Sequence, residues 1–105
     1  MTEETRHVVA SHLEQIDPTL LAVGHMVALR RELHAHPELA FHEVRTSELI
    51  AAALRDWGIP VHQSLGTTGL VGVVQSGSSP RAIGLRADID ALPLSERNTF
   101  AHASI

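Results

Sequence analysis

Between Trp57 and Pro60 the chain changes its hydrophobic period, and this change limits the possible folds more than any other feature. Before it, Ile50, Ala53, Leu54 and Trp57 recur at i, i+3, i+4 and i+7, which predicts a helix over 43–57 with one continuous apolar face. Gly58 can adopt the left-handed conformation that closes a helix, and Pro60 forbids continuation. After it, Val61–Leu65 alternates, GTTG (66–69) turns, and LVGVV (70–74) is apolar on both sides. SGSSP (76–80) turns again, and Ile83, Leu85 and Ala87 alternate up to Asp88.

An earlier helix is expected from Thr19 to His34. Ala22, Met26, Leu29 and Leu33 set its stripe, Val23 and Val27 widen it, and Pro37 stops it. Arg31 and Glu32 fall on the opposite, water-facing side. Val9, Leu13 and Ile16 suggest a further short helix, ended by Asp17-Pro18. The expectation is an α/β fold in which two helices precede three strands, with residues 1–18 as an extension and 19–105 as the α/β domain. A chain of 105 residues suits one small domain, and Phe41, Trp57 and Phe100 are the only aromatics available to anchor its core.

Composition excludes several function classes. There is no cysteine, so neither a disulfide framework nor a thiolate metal site can form. A net charge of −4 offers no general attraction to nucleic acid or anionic lipid. The apolar runs are too short to span a membrane. The acidic, polar start MTEETRH argues against a secretory leader and for a cytoplasmic location.

The residues that could carry chemistry centre on "IGLRADIDALPL" (83–94). If its strand persists through Asp90, Asp88 and Asp90 project from one face at the carboxyl end, the usual ligand edge of an α/β sheet. Two adjacent carboxylates repel unless a metal, proton or basic group lies between them. Aspartates are also common where a loop begins, and spacing alone leaves both readings open. His34 and His36 could chelate a metal from a strand, but a helix separates residues two apart, and a helix-end dipole already accounts for His34. Glu38 and Glu43 bracket the interhelical loop, with a cleft or water equally open to them. GTTG could cradle a phosphate, although a hairpin turn explains it more simply.

Taken together, "RRELHAHPELAFHEVRTSELIAAALRDWGIPV", "GTTGLVGVV" and "IGLRADIDALPLSE" resemble, in order and spacing, the metal-dependent amidohydrolases related to hippurate hydrolase. These form a branch of the metallo-exopeptidases that includes N-acyl-amino-acid and indole-acetyl-amino-acid hydrolases. The resemblance covers about residues 26–104. It implies the beginning of a mixed-sheet catalytic domain, incomplete here, and hydrolysis of the amide bond of a small N-acyl amino acid. It further implies a divalent metal, zinc or manganese, that activates water beside a glutamate base. Asp90 falls on the family aspartate that orients a metal-binding histidine. Asp88 falls on that histidine's own position, where this branch carries aspartate. The metal-binding segments with cysteine and histidines come later in the family, so the chain reads as a truncated piece, inactive by itself. A homodimer would then require the family's inserted domain.

Two other readings use the same residues. An apolar strand followed by Asp-x-Asp also opens haloacid-dehalogenase-type phosphotransferases, with Asp88 as nucleophile and Asp90 as acid/base. A non-enzymatic domain that binds a partner through exposed strand edges is the second.

Overall fold

The computed structural model describes residues 18–105, so the short helix expected near Val9–Ile16 lies outside the described residues. Their secondary structure comprises α1 (Pro18–Ala35), α2 (Val44–Asp56), β1 (Val61–Leu65) and β2 (Gly69–Gly72). The chain divides after Glu32 into two compact units, and Leu33–Ile105 form the second.

Helix α1 starts at Pro18, whose missing N–H is no loss at a first helical position. Val23, Met26 and Val27 of its stripe remain exposed. Glu32, expected to face water, is half-buried. The last carbonyls of any helix lack internal donors. Here the Ser104 hydroxyl donates to the His34 carbonyl at 2.7 Å, and the Ile105 N–H donates to Ala35 at 3.0 Å.

Helix α2 ends as its sequence requires. Gly58 takes φ +74° and donates its N–H to the Arg55 carbonyl at 2.9 Å. The Ile59 N–H reaches the Leu54 carbonyl at 2.9 Å, completing a Schellman closure. The buried side of α2 is small: Ala51 is fully buried, with Thr46 and Ser47 nearly so.

Strands β1 and β2 form one antiparallel hairpin packed on α2. Val61 pairs with Gly72, His62 with Val71 and Leu65 with Gly69, so the register slips by one between His62 and Leu65. Ser64 at φ +63° takes up the slip as a bulge. Gly66 and Thr67 both have positive φ, as a tight turn between right-twisted strands demands.

The expected third strand does not form. Residues 81–90 run without turn or bend and pair with no described strand, and the isolated parallel bridge between Leu39 and Ala91 lies just beyond them. The alternating pattern is present, while no described segment lies alongside to receive its hydrogen bonds. LVGVV is likewise shortened: the Val73 N–H still donates in register to the Pro60 carbonyl at 3.0 Å, but Pro60 has no N–H to return the bond, and the strand ends at Gly72. Nor do the aromatics anchor a core. Phe41, Trp57 and Phe100 are all exposed.

Candidate active-site cleft

The loop between the helices is held by its two glutamates. Glu43 is the N-cap residue of α2, but its side chain makes no cap bond. Glu38 supplies the missing acceptor. Its carboxylate accepts from the Arg45 N–H at 3.1 Å, the Thr46 N–H at 2.6 Å and the Thr46 hydroxyl at 2.7 Å. A carboxylate on these first-turn donors also meets the positive end of the helix dipole. Burial pushes the Glu38 carboxyl up, but the Thr46 and Arg45 donors outweigh it and leave the group below its ordinary range. Glu43 is itself buried and accepts from the Thr68 hydroxyl at 2.5 Å, which holds its carboxyl low against burial. GTTG is therefore a hairpin turn tied to α2, and one of its hydroxyls is already engaged.

The bridge at Ala91 brings the aspartates beside this loop. The Ala91 N–H donates to the Glu38 carbonyl at 2.7 Å. Glu38, Asp88, Asp90 and Glu96 then line one cleft of about 580 Å³, together with His34 and Thr46. Asp88 forms an exposed ion pair with Arg86 at 2.8 Å. Asp90 is exposed, and among the described residues its carboxylate has no hydrogen-bond or ionic partner. It also lines a second hollow beside Leu54, Leu70 and Leu85.

At the far wall of the cleft stands a cluster that residue spacing did not reveal. His34 Nε2 and Glu96 Oε2 lie 2.9 Å apart, and Glu96 also accepts from the Ser104 N–H at 2.6 Å and the Asn98 side-chain amide at 2.9 Å. Phe100 stacks on His102 at 4.1 Å between centroids. His34 is thus engaged with Glu96, while His36 sits half-buried in the bend after α1. The signal for this cluster would have been a contact between residues about sixty apart, which no local pattern encodes.

Glu96 gives the cleft a pH response. The Asn98 amide, then the Ser104 N–H, with His34 adding to them, hold its carboxyl at about 2 against an ordinary value of 4.5. Because the folded value is depressed, this contribution to stability is complete above about 4.5 and is lost as pH falls through about 2. The Ser104 amide resonance in an NMR titration should move with a midpoint near 2. A midpoint near 4.5 would show that Glu96 does not hold this segment.

Among the described residues no group of three or more histidine, aspartate or glutamate side chains is placed to hold a metal ion. A catalytic metal needs about three protein ligands. Asp88 and Asp90 alone fall short of that number, and the cleft offers carboxylates that can accept hydrogen bonds. No described helix is long and apolar enough to cross a membrane.

The class follows from comparison with known proteins. Over a fragment, the chain matches the amidohydrolase and metallo-exopeptidase family. It is 43% identical over 81 residues to the hippurate hydrolase of Campylobacter jejuni, covering 77% of this chain and 21% of that protein. An Arabidopsis thaliana IAA-amino acid hydrolase, ILR1-like 4, is 42% identical over 79 residues, covering 75% and 18%. The thermostable carboxypeptidase 1 of Saccharolobus solfataricus is 39% identical over 80 residues, covering 75% and 20%. The chain thus spans about a fifth of the length of these relatives. No family model matches it. No solved structure matches it either.

Proposed function

We propose that this chain contributes one wall of the active site of a hydrolase that cleaves the amide bond of small N-acyl amino acids. The observation that carries the reading is Asp90. It is an unpartnered carboxylate on a cleft, within a stretch strongly similar to a hippurate hydrolase and to IAA-amino acid hydrolases. Its role is to accept the N–H of an imidazole supplied from outside residues 88–93, since Asp88 stands where the wider family has the histidine, and so to set that ring's tautomer and direction. Glu38 keeps the cleft in shape by fastening the start of α2, and its three donors leave it little capacity to act as a base. Asp88, neutralised by Arg86, sets the charge at the cleft mouth.

The associated cofactor is a divalent metal, zinc or manganese. Its ligands are proposed to come from the segments that carry the cysteine and histidines in the family the chain resembles. A chimera tests the reading, with residues 26–104 replacing the matching stretch of the Campylobacter jejuni hippurate hydrolase. It is expected to hydrolyse hippurate with added zinc or manganese, whereas the chain alone gives no sustained turnover. A folded but inert chimera would refute the assignment, and turnover by the chain alone would refute the placement of the ligands.

A further inference from the structure

We infer that Glu38 is the positioning residue for Asp90: its carboxylate fixes residue 38 to the start of α2, and its backbone carbonyl passes that fixed position to the peptide group that carries Asp90. The bearing on catalysis rests on the hydrolase reading above, whereas the linkage itself rests on contacts alone.

The two ends of Glu38 meet different elements. At the side chain, Thr46 gives both its N–H and its hydroxyl to Oε1, at 2.6 and 2.7 Å, while the Arg45 N–H goes to Oε2 at 3.1 Å. With both oxygens engaged, the carboxylate cannot turn without losing a bond. Thr46 is only 4% exposed, so water competes poorly for its donors. At the backbone, the Glu38 carbonyl accepts the Ala91 N–H at 2.7 Å, beside the Leu39–Ala91 bridge. That N–H belongs to the planar peptide group that begins at the Asp90 Cα. Holding it therefore holds the plane from which the Asp90 side chain departs into the cleft that Glu38 also lines. A carboxylate that orients another group must be well placed, because an error of about 1 Å at a reacting centre can cost about 100-fold in rate. Glu43 supplies the contrast. It stands at the same end of α2, but its carboxylate is taken by Thr68 of the hairpin turn and makes no hydrogen bond to residues 88–91.

Hydrogen exchange on the full chain tests the linkage. Glu38→Ala should speed exchange of the Ala91 amide by about tenfold over its rate in Glu43→Ala, which loosens the same helix end by the other route. Equal Ala91 rates in the two variants overturn the inference, with or without any activity. Kinetics in the hippurate hydrolase chimera test the consequence. There Glu38→Ala should lower kcat by about tenfold with KM within about twofold, and Glu38→Gln, which keeps an acceptor for Thr46, should lose less than about threefold. Added to Asp90→Ala, the Glu38→Ala change should cost less than about twofold more, since a residue that acts through Asp90 then has nothing left to position. Losses that multiply, or a Glu38→Ala chimera as active as its parent, overturn the inference. If Glu38→Ala does not fold by circular dichroism, Thr46→Val removes the hydroxyl donor alone and should shift the Ala91 rate and kcat in the same directions by about threefold. An inert parent chimera refutes the hydrolase reading, and the Ala91 rates then decide the linkage by themselves.

Discussion

Replacing Gly69 with alanine should lower the melting temperature by about 10 °C, the largest change expected from adding a methyl group at any of the glycines. A Cβ at Gly69 would collide with the carbonyl oxygen of Leu65. The obstacle is backbone, not a side-chain end that could swing away, and Leu65 is the residue paired with Gly69 across the hairpin. Relief therefore requires breaking the pair next to a turn that already carries two positive φ angles. Overpacking of this sort costs about 2 kcal/mol or more. Little else resists the loss, since Ala51 is the one fully buried apolar residue among those described. The same substitution at Gly24, inside α1 with open space around it, should stabilise by about 1 kcal/mol. Thermal melts of the pair decide the matter. A Gly69→Ala protein that melts within about 2 °C of wild type would show that the strands can part there at no cost.

Asp90→Ala in the hippurate hydrolase chimera should lower kcat/KM by about 10- to 100-fold while the melting temperature holds. The reasoning is geometric. Asp90 has no partner within the described residues, so its removal strands no internal donor and opens no cavity. Any loss must then come from what the carboxylate does across the cleft. Metal content measured on the same protein should fall with activity, as expected when a ligand ring loses its orientation. Asp88→Asn, which only dissolves an exposed pair with Arg86, should change the rate less than about threefold. Full activity in Asp90→Ala would remove this residue from the mechanism. A magnesium-dependent phosphatase activity lost in Asp88→Asn would instead favour the phosphotransferase reading.

What the sequence disclosed, and what it hid, divides by range of interaction. Helix α2 and strand β1 were legible to within a residue or so because their signals are local: the apolar period, Gly58, Pro60 and the alternation of Val61–Leu65. The third strand was misread for the same reason. Alternation at Ile83, Leu85 and Ala87 reports which face is apolar and says nothing about a neighbour, and a strand exists only when something pairs with it. At the site, the aspartates were visible as a pattern, but Glu38 as the clasp of α2 was not. Its donors lie seven and eight residues away, and Glu43, which occupies the N-cap position, turns to Thr68 instead. Glu96 was invisible because its partners His34 and Ser104 come together only through the tertiary fold.

The Leu39–Ala91 bridge has a kinetic corollary. It joins positions about fifty residues apart, whereas the hairpin and the Schellman closure join near neighbours. Bringing distant positions together costs chain entropy before any reward arrives, so this bridge, with the still longer-range contacts of His34 and Ala35 to Glu96, Ser104 and Ile105, should be among the last contacts made during folding and the first to open. The Ala91 amide would then exchange with solvent deuterium sooner than those of α2, and the cleft would assemble and come apart as a late, reversible event on an already folded helix and hairpin.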